Sequence, residues 1–250
     1  MKIIRCRIPL GLMPLLFCVA ASVLLRPDDT MALPGGMVDV SHLHYLAAGQ
    51  PNVVHLLAPP PLPDSPEQAE DLQEVRAVHH AATGADVALA QSQKKFSVFT
   101  FAPAVGAFFQ SNSLPKTAAF FERVQTDAEA VTDHAKNFYR RPRPYVTDPS
   151  LAHGKRQKSF SYPSGHSTES MVLALVLADL IPDKQDAIIA EARSIGWHRV
   201  QIARHYPTDI YAGRVLAQAI VRQFMQSEAF QNDFAEAKAE LAAARLAAKN

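Results

Sequence analysis

Ser161-Tyr162-Pro163-Ser164-Gly165-His166 opens a mostly apolar run that continues to Ile181 and stops at Pro182. Ser164 is a good helix N-cap, and Gly165 lets backbone approach a neighbour closely. The run therefore predicts a long helix with a polar, glycine-bearing start. Its most apolar part, Met171–Leu177, is a core segment, and no later run in the chain reaches membrane-spanning length. A helix start carries partial positive charge and unspent N–H groups, which suits an oxyanion, with His166 on the first turn beside it. An ordinary Ser/Gly cap followed by a chance histidine reads the same way, so the tetrapeptide gains weight only from its surroundings.

Outward from this helix the pattern stays helical. Downstream, a helix is expected over roughly 184–203, ended before Pro207, then another from about Asp209 to Met225. An Ala-rich amphipathic surface helix follows over 229–250. Upstream, Phe120, Val124, Ala128, Val131, Ala135 and Phe138 form one apolar stripe on a helix beginning near Pro115. Pro142 and Pro144 stop it, so Arg143 leaves in extended chain. Residues 94–109 read as a buried helix broken near Pro103. Ser65-Pro66-x-Gln68 has the form of a capping box, with Ala69, Leu72, Val75 and Ala82 at helical spacing behind it. No alternating strand pattern and no internal repeat is present. The fold class expected is all-α, a single-domain helical bundle of six or more helices over 65–250.

The chain has 250 residues, 48% of them hydrophobic, enough for one well-cored domain. Residues 1–32 read as a signal peptide, with an uncleaved membrane anchor as the other reading; Pro9, Pro14 and the length of the apolar run favour the signal. Lys2, Arg5 and Arg7 precede an apolar stretch from Leu10 to Leu25, and Thr30-Met31-Ala32 is a small-x-small cleavage pattern, with Ala21 as the other candidate. Processing would remove Lys2, Arg5, Arg7 and Arg26 together with Asp28 and Asp29, moving the formal charge from +1 to −1. A near-neutral domain gives no case for nucleic acid or an anionic membrane surface. The expected location is periplasmic or secreted, without stable membrane insertion after processing. Both cysteines, Cys6 and Cys18, fall in the signal, so the mature chain has no disulfide or thiol chemistry. Residues 33–64 form an N-terminal arm with a stiff strap, Pro59-Pro60-Pro61-Leu62-Pro63. His42, His44 and His55 there lack carboxylate or cysteine companions at ligand spacing, so no metal is expected.

Three segments collect chemistry. Lys136 lies seven positions before Arg143-Pro144, and Arg199 lies six before His205, which lies four before Asp209. With Ser164, Gly165 and His166 these are the parts of a metal-free phosphoryl-transfer site. Three fixed cations and a helix start hold a phosphate, one histidine attacks phosphorus, a second protonates the leaving oxygen, and a carboxylate orients the attacker. Asp209 is placed to accept from the imidazole of His205, and a helix-capping role is compatible with that. The loop 145–160, with His153, Lys155, Arg156 and Lys158, reads equally as a border of the site and as a solvated connection.

Lys136-x6-Arg143-Pro144, Pro163-Ser164-Gly165-His166 and Arg199-x5-His205-x3-Asp209 together resemble the three-part signature of the type 2 phosphatidic acid phosphatase superfamily. Within it the chain is most similar to the soluble bacterial class A nonspecific acid phosphatases. Leu56-Leu57-Ala58-Pro59-Pro60-Pro61, Ser65-Pro66-Glu67-Gln68 and Tyr211-Ala212-Gly213-Arg214 extend the likeness over most of the mature chain. The resemblance implies the acid phosphatase/vanadium haloperoxidase type of helical fold and hydrolysis of phosphate monoesters. It implies His205 as a nucleophile that becomes a phosphohistidine, Asp209 as its orienter and His166 as general acid. Lys136, Arg143, Ser164, Gly165 and Arg199 would then cradle the phosphate. No cofactor is implied, the partners are small-molecule phosphate esters, and a homo-oligomer is compatible with the sequence.

The chain departs from the family pattern at His198, where a serine is usual, and at Ala203-Arg204, where a glycine and an apolar residue are common. His198 is expected to change how Arg199 is held, and Arg204 to add positive potential. Other readings are a vanadate-dependent haloperoxidase, a lipid phosphate or pyrophosphate phosphatase, and a non-catalytic phosphate binder.

Overall fold

The computed structural model describes residues 43–152 and 154–248, and every regular element within them is helical. The expected signal and its cleavage sites, and residues 33–42 of the arm, lie outside the described residues. The helices are α1 (Val53–Leu56), α2 (Pro66–Ala81), α3 (Gly84–Ser92), α4 (Ala102–Val105), α5 (Pro115–Tyr139), α6 (Pro144–Thr147), α7 (Gly165–Leu180), α8 (Gln185–Gln201), α9 (Pro207–Phe224) and α10 (Glu228–Ala247), with short 3-10 turns between some of them.

The run that follows Gly165 becomes α7, and it is the centre of the bundle. Val172, Leu173, Val176 and Leu177 are fully buried on it, because α5, α8, α9 and α10 all pack against it. Each such side chain contributes about 1.5–3 kcal/mol of burial. Two glycines set how closely α8 and α9 come. A Cβ on Gly213 would stand 2.9 Å from Ser164 O, and one on Gly196 would stand 3.2 Å from Ser167 Oγ. Ser167 Oγ then donates to Ile210 O at 2.8 Å. The first turn of α7 is thereby pressed against the first turn of α9, the contact on which the site depends.

α5 buries the predicted stripe, Phe120, Val124, Ala128, Val131 and Ala135; Phe138 at its end is only partly buried. It ends where Arg140 turns left-handed at φ 50°, and Arg143 follows in extended conformation. α10 docks Phe230, Ala237 and Leu241, and Phe230 stacks on Phe224 with centroids 5.2 Å apart. The arm is tied down by Asp127 of α5, whose carboxylate accepts from the N–H groups of His44, Tyr45 and Leu46 at 2.8, 2.8 and 3.1 Å. The strap begins where Leu57 O and Ala58 O accept from Tyr139 and Tyr162 hydroxyls at 2.8 and 2.6 Å.

Three local expectations change. Residues 94–109 do not form one helix: a 3-10 turn, Val98–Phe101, runs into α4, and Gly106 at φ 133° ends it. Pro103 starts α4 instead of breaking a helix, since its missing N–H would be unused in a first turn. Ser65 caps α2 by accepting from Gln68 N at 3.2 Å, but the Gln68 side chain turns inward and accepts from Arg141 Nη2 at 2.7 Å. α3 appears where no apolar stripe predicts it. A Thr83/Asp86 capping box starts it, and Ala90 is its one buried residue.

Candidate active site

Four stretches of chain converge at the start of α7. The last turn of α5 supplies Lys136, the extended segment after it supplies Arg143, the last turn of α8 supplies Arg199, and the α8–α9 connection supplies His205. Ala203 turns that connection left-handed at φ 51°, and Arg204 N and His205 N then both donate back to Arg199 O. Arg143, Arg199 and His205 are each 3% exposed, and Asp209 is fully buried. These guanidinium groups face the protein interior, not bulk water. A Cβ on Gly165 would stand 3.0 Å from Lys136 Nζ, so the glycine is what lets the ammonium close over the helix start.

His205 is held at both ring nitrogens. Arg143 Nη1 lies 3.0 Å from Nε2, and Asp209 Oδ2 lies 3.3 Å from Nδ1. A guanidinium only donates, so Nε2 presents its lone pair and Nδ1 carries the proton toward the carboxylate. This is the tautomer a nucleophilic Nε2 requires. Arg143 itself donates to Ser159 O, Ser159 Oγ, Phe160 O and Arg204 O at 2.9–3.1 Å, which fixes its fork. Asp209 sits in the first turn of α9, and its Oδ2 also accepts from Tyr206 N at 2.9 Å and Ser161 Oγ at 2.5 Å. The capping and orienting roles coexist in one carboxylate.

His166 occupies the other wall. Its Nε2 lies 3.1 Å from Gln93 O, and its ring packs on Phe96 with centroids 5.4 Å apart. A carbonyl only accepts, so Nε2 bears a proton and Nδ1 is the position at which a second proton is gained or given up. Ser164 corrects one expectation. Its backbone N–H is already used, donating to Asp209 O at 3.0 Å. The amides left at the helix start are those of Gly165 and His166, and Ser164 offers its hydroxyl. Arg199 Nε is buried without a hydrogen-bond partner among the described residues, a donor an anion would satisfy. Among the same residues, no cluster of His, Cys, Asp or Glu has the arrangement of a metal site.

Burial, then Arg143, lowers His205 to about 3; burial, then Arg199 and His205, lowers His166 to about 3. Burial lowers Arg199 to about 10 and also lowers Arg143. Burial by itself would raise Asp209, but its hydrogen bond with His205 and the charge of Arg141 outweigh that and hold it below the usual carboxylate value. The cluster is thus dense in fixed positive charge and leaves both imidazoles neutral, a setting that attracts a dianion.

Sequence reasoning missed Arg141 and Asp71. Arg141 Nη1 donates to Asp209 Oδ1 and Nη2 to Asp71 Oδ2, both at 2.6 Å, while its guanidinium lies 3.9 Å from the centroid of the Tyr206 ring. The Arg140-Arg141-Pro142-Arg143 run shows basic residues, but nothing local says which of them points inward. His198 reaches Gln93 Oε1 at 2.7 Å, and Arg199 Nη2 donates to Ala90 O. Arg204 lies over the Tyr145 ring at 5.2 Å.

The PAP2 superfamily profile matches residues 125–233, which include all three signature segments. The acid phosphatase of Zymomonas mobilis is 31% identical over 201 residues, covering 77% of this chain and 76% of that protein. The non-specific acid phosphatase of Providencia stuartii is 29% identical over 244 residues, covering 90% and 96%. That of Salmonella typhimurium is 30% identical over 167 residues, covering 64% and 65%. The chain belongs to the PAP2 superfamily and, within it, to the acid phosphatases, which are phosphoric monoester hydrolases.

Proposed function

We propose that this protein is an exported acid phosphatase that hydrolyses phosphate monoesters through a phosphohistidine on His205, without a metal ion. The observation that carries the reading is the pairing of Arg143 Nη1 with His205 Nε2, 3.0 Å apart, with Asp209 behind the ring. A buried imidazole presents a lone pair to a cluster of cations, which is what nucleophilic attack on a phosphoryl group needs.

The geometry supports the following steps. The ester phosphate is held by Lys136, Arg143, Arg199, the Ser164 hydroxyl and the amides of Gly165 and His166. The Nη1–H of Arg143 redirects its hydrogen bond from His205 Nε2 to a phosphate oxygen, uncovering Nε2. Nε2 attacks phosphorus as the ester P–O bond breaks, and His166 gives its Nδ1 proton to the departing oxygen. Asp209 stabilises the Nδ1–H of the ring as it gains positive charge. Water then attacks the phosphohistidine, His166 takes its proton, and inorganic phosphate leaves. Since His166 is neutral near pH 7 in the protein alone, its proton arrives with the substrate: a monoanionic ester bound to neutral His166 equals a dianion bound to the charged ring. That equivalence favours acid conditions, because phosphate monoesters lose the second proton near pH 6.

Brief acid quench of enzyme with radiolabelled phosphomonoester tests the intermediate. Label on the protein, lost in acid and absent from His205→Ala, is expected; label persisting on that variant would sink the assignment. Activity unchanged by chelator and inhibited by vanadate is expected from the same preparation. The charge pattern of residues 1–32 supports export, and a mature N-terminus after Ala32 or Ala21 is the expected result of N-terminal sequencing.

A further inference from the structure

His166 stands on the well-buried helix α7, but the carbonyl against its ring comes from the end of a helix, α3, that has almost no core of its own. α3 buries a single residue, Ala90, so apolar packing does little to locate it. Yet Gln93, the C-cap of α3, supplies the carbonyl that lies 3.1 Å from His166 Nε2 and so orients that ring. Polar bonds from α8 hold the end of α3. Arg199 Nη2 donates to Ala90 O, His198 Nδ1 lies 2.7 Å from Gln93 Oε1, and Gln93 Nε2 lies 3.5 Å from Glu191 Oε1. The Glu191 carboxylate settles which end of the amide is which. It attracts the NH2 group, leaving Oε1 toward His198, so His198 carries its proton on Nδ1 and donates. Gln93 is 5% exposed, so water does not replace these bonds.

We propose that Gln93, tethered by His198, is a positioning residue for the general acid: it holds His166 so that Nδ1, and not Nε2, faces the leaving oxygen. The inference rests on the phosphatase reading above and deepens it. His198, the departure from the family's usual serine, thereby acquires a task. A serine side chain is too short to span the same gap from the same backbone position, whereas the imidazole reaches Gln93 and fixes the carbonyl four atoms away along the Gln93 chain. Substitution of Gln93 leaves the backbone carbonyl in place and removes only its tether, so the effect is one of aim.

Aim matters in proportion to how much the leaving group needs the proton. General acid catalysis is worth about 10²–10⁴-fold, and it is nearly dispensable for a nitrophenolate, which leaves unaided. The experiment compares kcat/KM, which reports formation of the phosphoenzyme, for an alkyl phosphate and for p-nitrophenyl phosphate. In Gln93→Ala and His198→Ala the alkyl ester is expected to lose about tenfold or more and the nitrophenyl ester less than about threefold, as a partial loss of that acid catalysis. The inhibition constant of inorganic phosphate is expected to stay within about twofold, because the cations are untouched. His198→Asn, which offers an N–H at the place of Nδ1, is expected to restore the alkyl ester.

Equal losses on both esters, no loss on the alkyl ester, or failure of His198→Asn to restore it would overturn the proposal. Should Gln93→Ala fail to fold by circular dichroism, the His198→Ala and His198→Asn pair decides alone. A wild-type protein inactive on p-nitrophenyl phosphate removes the phosphatase reading and the proposal with it; an active wild type with indifferent variants removes the proposal only.

Discussion

Arg143 Nη1 is aimed at His205 Nε2 from 3.0 Å, so under the proposed mechanism the guanidinium that would bind substrate also covers the proposed nucleophile until substrate arrives. Its fork is fixed by four further acceptors, Ser159 O, Ser159 Oγ, Phe160 O and Arg204 O. A lysine is a single point charge and cannot make that set. Arg143→Lys is expected to lower kcat/KM by about 10²–10³-fold, the scale of one lost donor to a developing oxyanion. Steady-state kinetics on a chromogenic ester check it; a loss under about fivefold would show that charge alone is enough.

Gly165 predicts a binding defect separable from stability. A Cβ there would meet Lys136 Nζ at 3.0 Å and Glu169 Oε1 at 3.1 Å. Both are ends of flexible side chains, so Gly165→Ala is expected to move the melting temperature little. Displacing Lys136 from the helix start is expected to weaken inorganic phosphate about tenfold, the worth of one charge-assisted hydrogen bond. Inhibition constants and thermal unfolding of the same variant separate the two effects.

Arg141 predicts the reverse. It joins α2 to α9 through Asp71 and Asp209, all three buried. Arg141→Met would leave two carboxylates without their cation. The expected cost is about 3–5 kcal/mol of unfolding free energy, read from the denaturant midpoint. Asp71→Asn keeps an acceptor for Nη2 and is expected to cost less than half as much.

Stability is expected to fall on acidification. The folded protein holds His166 and His205 at about 3, whereas an unfolded chain titrates histidine near 6.5. Between about pH 6.5 and about 3 the unfolded chain therefore binds protons that the folded one does not, and acidification favours unfolding. Asp209, depressed in the fold, adds stability above the ordinary carboxylate pKa that is lost as pH falls through its folded value. All three contributions have one sign. The melting temperature is expected to drop through this window, and inorganic phosphate, which under the proposed function would bind the folded site and favour charged His166, to reduce the drop. A melting temperature that rises from pH 6.5 to 4 without phosphate would contradict the burial of both rings.

Much of the molecule could be read from local pattern. The periodic stripe of α5, the apolar run of α7, the Ser65 and Ser164 caps and the stops at Pro142 and Pro182 depend on neighbours within a turn or two, where spacing decides. As candidates, Lys136, Arg143, His166, Arg199, His205 and Asp209 could be picked out because their types and spacing resemble a three-part family signature.

Only the tertiary structure decided which polar groups are spent on each other. That Ser164 N is bonded to Asp209 O, that Arg141 points inward while Arg140 stays at the surface, and that Gln93 and His198 meet 105 positions apart are consequences of how α3, α7, α8 and α9 cross. The physical reason is desolvation. A buried donor or acceptor must find a partner wherever the packing brings one, and packing is set by apolar surfaces that say nothing, residue by residue, about which polar atoms will face each other.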